Sequence, residues 1–269
     1  MNYDEYYLKC REAYAHPTSD HVIANTMILD PVVRVPIESF DDSYMDGVET
    51  MAEGVKYDFD QMAADPVMTK HPDIWQYENA LTLICDNLVP YLEDRRFGCH
   101  LYVDKVYIYR TAKLKQPKSS YLWHYDNNPA QIVKNIIYLT EVTDLNSPFE
   151  YMTDPNGCGL IVQPSRQGTK KWDAAPNGSR ITEQQMRELL QAGCTPKKVY
   201  GQIGETYSFN NDAIHRVNPI IEGHRDVVNI RVKPTLEPPP AYLSRKFTSG
   251  FEVPGSVNRN PEVAWKALR

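Results

Sequence analysis

The amino-acid sequence predicts an α+β protein, mainly β, in which an N-terminal helical layer packs on one sheet of an antiparallel β-core. Two observations carry this prediction. Residues 72–94 repeat apolar side chains at steps of three and four, the period of a helix with one apolar face. From residue 99 the period changes, and short segments rich in β-branched and aromatic residues alternate with Pro, Asn and Gly turns. This succession indicates an antiparallel sandwich or barrel.

The chain before residue 99 is expected to supply helices and one edge strand. Residues 3–15 predict a short helix, and residues 28–36 predict an edge strand, where proline is tolerated. Residues 41–65 predict a helix with an acidic first turn, which suits the positive end of the helix dipole. The helix over 72–94 has Gly98 just beyond its end, and we expect its apolar stripe to pack against a sheet rather than serve a cofactor.

The β-core is expected to consist of short strands joined by turns. Five segments have the composition of strands: residues 99–111, 134–140, 159–163, 205–209 and 226–232. This part of the chain contains neither a Gly-x-Gly-x-x-Gly fingerprint nor a P-loop, which argues against Rossmann-type and kinase-like folds.

Residues 164–198 interrupt the strands and predict a lid-like insertion. The insertion begins with a basic loop, which is either a solvated surface loop or a lid that contacts an anionic substrate. Thr182 to Gln185 form a capping box that opens a helix, and Gly193 closes it.

We expect one domain over residues 1–269. It comprises a helical layer with edge strands (1–98), a catalytic core (99–235) and a tail (236–269) that is first extended and then forms a short helix near 261–268. The tail is expected either to wrap the core or to contact a partner chain. A homodimer through the N-terminal helices or the tail is therefore one expectation.

Composition narrows the class of partner. The formal net charge of −6 argues against a broad nucleic-acid surface, which needs a clustered basic face. We see no signal peptide and no apolar run long enough to cross a membrane, so no membrane partner is expected. The five cysteines are widely spaced and odd in number, which fits a reducing cytoplasm.

The segment that carries chemistry is Trp123-His124-Tyr125-Asp126. Residues two apart on a strand point to the same face, so His124 and Asp126 offer two neighbouring metal ligands. Two histidines and one carboxylate with open positions suit non-haem Fe(II) oxygen chemistry, and His215 is the candidate for the second histidine.

A strand after His215 adds a candidate anion anchor. Arg225 opens this strand, and an arginine there can hold a carboxylate through two hydrogen bonds. By the period of two, Arg225 shares one face of the strand with Val227, Asn229 and Arg231.

In this order and spacing, four segments resemble the Fe(II)/2-oxoglutarate-dependent dioxygenases, and within them the phytanoyl-CoA and prolyl-hydroxylase-like branch. The segments are 123–126, 134–142, 146–149 and 215–219 followed by Arg225, so the resemblance covers residues 100–235. It implies a double-stranded β-helix, which is a jelly-roll, cupin-like core, and a hydroxylase that uses Fe(II), 2-oxoglutarate and O2.

The resemblance also implies roles for individual residues. His124, Asp126 and His215 would be the iron ligands, and Arg225 would hold the distal carboxylate of 2-oxoglutarate. Tyr138 and Tyr109 would lie beside that co-substrate. The alternative for each of them is a purely structural role in the core. Three further residues are candidates for substrate contact: Lys134, Trp123 and Arg231. Lys134 and Ile136 share the face of Tyr138 by the period of two. Arg231 either faces a substrate anion or forms a surface ion pair.

The expected activity is oxidation of a small molecule. The carboxylate of Asp126 favours hydroxylation, desaturation or another oxidation, because halogenating relatives carry a small residue there. The substrate class stays open among amino acids, acyl or natural-product intermediates and sugar-like compounds. Two other classes also stay open: a cupin-like metalloenzyme that does not use 2-oxoglutarate, and a metal-free β-sandwich binding module.

Overall fold

A computed structural model describes residues 3–14, 31–62, 68–111, 113, 119–126, 131–162 and 180–250. Within them the chain forms four α-helices and nine strands. The helices are α1 (Tyr3–Ala13), α2 (Asp42–Gln61), α3 (Glu78–Leu92) and α4 (Glu183–Gln191). A 3-10 turn over Ile74–Tyr77 leads into α3, and a π-helical turn over Glu93–Phe97 follows it.

The strands form two antiparallel sheets. Their bounds are β1 (Val32–Val35), β2 (Thr69–Lys70), β3 (His100–Thr111), β4 (Val133–Tyr138), β5 (Phe149–Thr153), β6 (Thr195–Val199), β7 (Thr206–Asn210), β8 (His215–Val217) and β9 (Arg225–Thr235). The six-stranded sheet has the order β1-β7-β4-β9-β3-β2, and the three-stranded sheet has the order β6-β5-β8. The fold is mixed α+β, as predicted.

The larger sheet is buried on both faces, and β9 shows how the sequence achieves this. Val228, Ile230 and Val232 point to the helices and join their apolar cluster, whereas Val227 belongs to the cluster between the two sheets. Successive side chains of a strand point to opposite faces. Arg225, Asn229 and Arg231 therefore share the inner face of the sheet with Val227, as predicted from the period of two.

The helical layer covers the outer face of this sheet. The side chain of Asp41 accepts a hydrogen bond from the Ser43 backbone N–H and caps α2. Helix α2 lies close against α3 at Gly47, where a Cβ atom would sit 2.7 Å from the Ala80 carbonyl oxygen. The stripe on α3, including Leu81, Ile84 and Leu88, is buried in the cluster that also contains the outward residues of the sheet. The predicted packing of this stripe is confirmed.

The helix predictions agree with the structure to within a few residues. Helix α1 ends at Ala13, α2 ends at Gln61, and Gly98 ends the turn after α3 in the left-handed conformation with φ 59°. The predicted edge strand is β1, which lies at one edge of the larger sheet. The capping box at Thr182 and Gln185 is also present.

One of the five strand predictions is wrong. Residues 159–163 do not form a regular strand in the described part; only isolated bridges occur there, at Gly159 and Ile161. The predicted insertion 164–198 includes most of β6, which pairs with β5 and belongs to the smaller sheet. The strands β5, β6 and β8 are not among the five predicted strands.

The described part of the tail wraps the core. Its backbone is hydrogen-bonded to the first half of β3: the Val106 N–H donates to the Ser249 carbonyl over 3.0 Å, and the Ser249 N–H donates to the Asp104 carbonyl over 3.0 Å. The basic loop 164–179 and the predicted helix at 261–268 lie outside the described residues. The single-domain organisation and the homodimer stay predictions.

Candidate metal centre

Backbone pairing brings His124, Asp126 and His215 together. The N–H of His124 donates to the His215 carbonyl over 3.0 Å, and the N–H of His215 donates to the His124 carbonyl over 2.8 Å. The N–H of Asp126 donates to the Asn211 carbonyl over 2.7 Å. Ligand atoms of the three side chains all lie within 4.8 Å of one another.

Each histidine presents its Nε2 atom to the centre. The Nδ1 atom of His124 lies 2.8 Å from the Leu122 carbonyl oxygen, and the Nδ1 atom of His215 lies 2.7 Å from the Ala213 carbonyl oxygen. Because Nδ1–H donates to a carbonyl in both rings, the lone pair is left on Nε2. These Nε2 atoms lie 4.0 Å and 3.8 Å from the oxygens of Asp126.

The protonation states suit a divalent cation. Burial lowers the pKa of His215 to about 3 and also lowers the pKa of His124, so both imidazoles are neutral at pH 7. Burial raises the pKa of Asp126, but the Lys134 ammonium and the two imidazoles outweigh it and hold that pKa well below its usual range. Two neutral nitrogens and one carboxylate are the donor set that divalent first-row metals accept.

Lys134 contacts the candidate metal ligand itself. Its Nζ atom lies 2.5 Å from Oδ2 of Asp126 and 5.9 Å from the centroid of the Phe209 ring. Sequence reasoning assigned Lys134 to substrate contact, whereas the structure directs its charge to Asp126. The apolar rings of Phe149 and Phe209 flank His215 at centroid distances of 5.3 Å and 5.2 Å, which keeps this side of the centre dry.

Arg225 is fully buried and incompletely hydrogen-bonded. Its Nη1 donates to the Ser147 carbonyl over 2.6 Å, whereas Nε and Nη2 have no partner among the described residues. Thr111, the cross-strand neighbour of Arg225, has a buried hydroxyl that also lacks a partner there. Buried donors without partners are costly, so a guanidinium edge in this state points to a missing anionic ligand.

The two predicted tyrosines lie between the sheets near Arg225. Tyr138 is fully buried, and its hydroxyl donates to the Val199 carbonyl over 2.9 Å. Burial raises the pKa of Tyr138, and the charge of Arg225 acts in the opposite direction. Tyr109 belongs to the same apolar cluster.

Three neighbours of Arg225 carry no role in the sequence reasoning. Burial raises the pKa of Tyr121 to about 12, and the charge of Arg225 acts in the opposite direction. Ser147, with φ 76°, supplies the carbonyl that Arg225 binds. The third is Thr111. The sequence offered a signal for each of them: Tyr121 comes just before segment 123–126, Ser147 lies in segment 146–149, and Thr111 ends a predicted strand. Their proximity to Arg225 depends on tertiary structure, which the local sequence does not specify.

The structure places Arg231 and Trp123 differently from their predicted substrate roles. Arg231 is buried and bonded through Nε and Nη2 to Asp104 at 2.9 Å and 2.6 Å, so its ion pair is not on the surface. Trp123 packs against the cluster beneath α4 together with Tyr125, on the opposite side of the segment from His124. The guanidinium carbon of Arg216 lies 4.6 Å from the centroid of the Trp123 ring.

No helix in the described part of the chain is long and apolar enough to cross a membrane. No protein-family model matches the sequence. No curated protein is significantly similar to it in sequence.

Solved structures with a similar fold include those of two proteins at low sequence identity. HygX from Streptomyces hygroscopicus, with nickel and 2-oxoglutarate bound, is 16% identical with a TM-score of 0.51; the match covers 83% of this chain and 89% of HygX. The epimerase SnoN, in complex with Fe3+, alpha ketoglutarate and nogalamycin RO, is 14% identical with a TM-score of 0.51; the match covers 87% of this chain and 95% of SnoN. At these identities the likeness shows a shared fold, so the chain has the fold of HygX and SnoN.

Proposed function

We propose that the protein is an Fe(II)- and 2-oxoglutarate-dependent oxygenase. It would hydroxylate, or otherwise oxidise, an unactivated C–H bond of a small molecule and convert 2-oxoglutarate to succinate and CO2. The observation that carries the proposal is the presence of two sites between the two sheets: a converging set of His124, Asp126 and His215, and a buried Arg225 whose Nε and Nη2 have no hydrogen-bond partner among the described residues. We also propose that the two sheets form a double-stranded β-helix within a single domain.

The donor set fits the iron. His124 and His215 would bind through Nε2, because each Nδ1–H is held by a backbone carbonyl. Asp126 would bind through its carboxylate, whose Oδ1 lies 4.0 Å from Nε2 of His124 and whose Oδ2 lies 3.8 Å from Nε2 of His215. Lys134 donates to the same Oδ2. When bound, iron and 2-oxoglutarate together supply the activation of O2 that oxidises the substrate.

The surroundings of Arg225 fit the co-substrate. A carboxylate would satisfy Nε and Nη2 together, since the guanidinium presents two parallel donors to one carboxylate. The Thr111 hydroxyl is the third buried donor on this side of the pocket. Such a two-point anchor distinguishes a 2-oxoglutarate enzyme from a cupin-like metalloenzyme, which has no use for Arg225. The convergence of the three ligand residues disfavours a metal-free binding module.

The carboxylate of Asp126 supports oxygen transfer over halogen transfer, because it fills the position that a halide would need. The phytanoyl-CoA and prolyl-hydroxylase-like branch and the small-molecule substrate class are parts of the same proposal.

The test is binding of 2-oxoglutarate under anoxia. Purified protein with Fe(II) and 2-oxoglutarate should develop a weak visible charge-transfer band. The growth of this band as 2-oxoglutarate is added gives the Kd for 2-oxoglutarate. We expect Arg225→Gln to weaken 2-oxoglutarate binding by roughly 30-fold or more, because truncating one partner of a buried charge pair costs about 2–5 kcal/mol. The affinity for metal should stay within a factor of three of the unsubstituted protein, roughly 0.7 kcal/mol.

Arg216→Gln is the matched control. Arg216 adjoins His215, but its guanidinium is occupied by Glu150 at 2.5 Å and by the Trp123 ring. This variant should keep the affinity for 2-oxoglutarate. Absence of the band in the unsubstituted protein, or an Arg225→Gln variant with unchanged affinity, would refute the proposal.

A further inference from the structure

We infer that Asn229 is part of the primary-substrate subsite and accepts a hydrogen bond from a hydroxyl or amine of that substrate. The inference rests on the proposed function and deepens it. It selects a polar substrate that carries a hydrogen-bond donor over an unfunctionalised acyl chain.

The register places Asn229 on the inner face of the larger sheet. Its cross-strand neighbours are Tyr107 on β3 and Ile136 on β4, and both belong to the cluster between the two sheets. The residues on either side of it, Val228 and Ile230, point to the helical layer. The Asn229 side chain is therefore directed into the space between the sheets, where the metal centre lies.

The amide oxygen of Asn229 is buried without a partner. The residue is 5% exposed, and Oδ1 has no hydrogen-bond partner among the described residues. The fold treats Asn135 differently: its Nδ2 donates to the Ile230 carbonyl over 3.0 Å, and its Oδ1 accepts from the Ser208 hydroxyl. Because an unsatisfied buried acceptor is costly, a leucine would serve the apolar cluster at least as well unless a ligand completes the amide.

Asn229 lies near the candidate metal ligands. In the next row of the sheet, Lys134 pairs with Arg231, so Lys134 and Asn229 are diagonal neighbours, about 7–8 Å apart. Lys134 in turn contacts Asp126. A ligand that reaches the Asn229 amide is thus held beside the metal, as the oxidised molecule must be.

Arg225 and Asn229 serve different parts of the pocket. They are four residues apart on one face of β9, which separates their Cα atoms by roughly 13 Å. The guanidinium offers donors to an anion, whereas Oδ1 of Asn229 offers an acceptor to an O–H or N–H group. Because their hydrogen-bonding chemistry is opposite, we assign Arg225 to the dianionic co-substrate and Asn229 to the primary substrate.

The test is a succinate-release screen with matched pairs of compounds, each an alcohol or amine and its analogue that lacks this donor. The unsubstituted enzyme should favour the donor-bearing member by at least ~100-fold in kcat/KM, because a site that hydrogen-bonds a substrate group rejects the analogue without it. Asn229→Leu should reduce this ratio to below ~10-fold and leave the Kd for 2-oxoglutarate within about two-fold.

Asn229→Asp separates the acceptor from the rest of the amide. It keeps an acceptor oxygen, so the preference for donor-bearing compounds should survive, with a shift from hydroxyl towards amine because the new carboxylate attracts an ammonium group. The hydroxyl and amine members of the screen therefore identify which donor the substrate carries.

Thermal unfolding adds a readout that does not depend on turnover. In the substrate-free protein, Asn229→Leu should leave Tm unchanged or raise it, because it removes an unsatisfied polar group. Val228→Ala, the neighbouring change on the opposite face, should lower Tm and preserve the preference.

Three results for Asn229→Leu would overturn the inference: a retained preference for donor-bearing compounds, a weakened affinity for 2-oxoglutarate, or a lowered Tm. A loss of this preference in Asn229→Asp as large as that in Asn229→Leu would also overturn it. A missing charge-transfer band in the unsubstituted protein would instead overturn the proposed function, so the two failures are distinguishable.

Discussion

Lys134 is placed to set the geometry of Asp126, a candidate metal ligand. Its Nζ atom holds Oδ2 of Asp126 at 2.5 Å. Its cross-strand neighbour Arg231 is already bonded to Asp104. A hydrogen bond from Lys134 restricts rotation of the Asp126 carboxylate, and groups that orient a ligand in this way strengthen metal binding.

We expect Lys134→Met to weaken Fe(II) binding by about 10–100-fold, the range measured when groups that orient metal ligands are removed. Anaerobic titration with Fe(II) measures the effect, and Lys134→Arg should restore part of the affinity. Lys198→Met is the control, because Lys198 forms an exposed ion pair with Asp144 at 2.7 Å. Equal metal affinities in Lys134→Met and the unsubstituted protein would contradict this role.

Individual site residues were predictable where they share a strand or a motif. His124 and Asp126 follow from a spacing of two, and Arg225 from its place at the start of a strand. Asp104 was not predictable. The register of β3 shifts between Val103 and Lys105, and this bulge lets Asp104 meet Arg231. A bulge depends on the partner strand, which the local sequence does not specify.

The π-helical turn after α3 joins three elements through one carboxylate. Glu93 is buried; its Oε1 accepts from the Leu101 N–H at the start of β3, and its Oε2 accepts from the Tyr242 hydroxyl of the tail over 3.1 Å. Burial raises the pKa of Glu93 to about 7, with Asp94 contributing in the same direction and the two hydrogen bonds opposing it.

Glu93 should make stability fall as pH rises. Because its pKa is higher in the folded than in the unfolded state, the folded protein binds more protons between pH 4.5 and pH 7. This contribution is complete below pH 4.5 and is lost as pH rises through 7, by an amount on the order of 3 kcal/mol. Urea unfolding across this window should show a shallower pH dependence in Glu93→Gln, and an identical pH profile for the two proteins would contradict the assignment.

Two of the strands that sequence reasoning missed, β6 and β8, have no apolar pattern of strand length. Strand β6 reads Thr-Pro-Lys-Lys-Val, four of whose residues are exposed, and β8 has only three residues. Both are strands because β5 pairs with them on either side. The error at 159–163 has the opposite cause: its apolar residues serve the cluster under α4 without a regular ladder. Tertiary pairing decides the first outcome and burial decides the second, and local propensity decides neither.

At the scale of the molecule, the tail closes an open sheet edge. Strand β2 pairs only with the end of β3, at Tyr109 and Arg110. The first half of β3 is covered by residues 242–249, to which Val103 and Val106 donate backbone hydrogen bonds. Covering an edge in this way removes a template for pairing with other chains.

We expect truncation after Thr235 to lower the free energy of unfolding by about 3–5 kcal/mol, through the loss of several hydrogen bonds worth roughly 1 kcal/mol each. A chain that ends after Gly250 keeps all of these contacts and is the control. Urea unfolding monitored by circular dichroism measures the difference, and light scattering should detect association of the shorter chain. Equal midpoints for the two chains would show that the tail contributes nothing to stability.

The reciprocal hydrogen bonds between His124 and His215 also have a kinetic consequence. His124 and His215 come from separate parts of the chain, so the centre is complete only after both segments have docked and paired. A chain in which β4 and β9 have paired but β8 has not docked would contain an ordered sheet without a metal site. During refolding in Co(II), we therefore expect the ligand-field absorption to develop with the slowest phase, after the far-ultraviolet signal of secondary structure. Acquisition of metal would then mark completion of the native topology and guard against loading of partly folded chains.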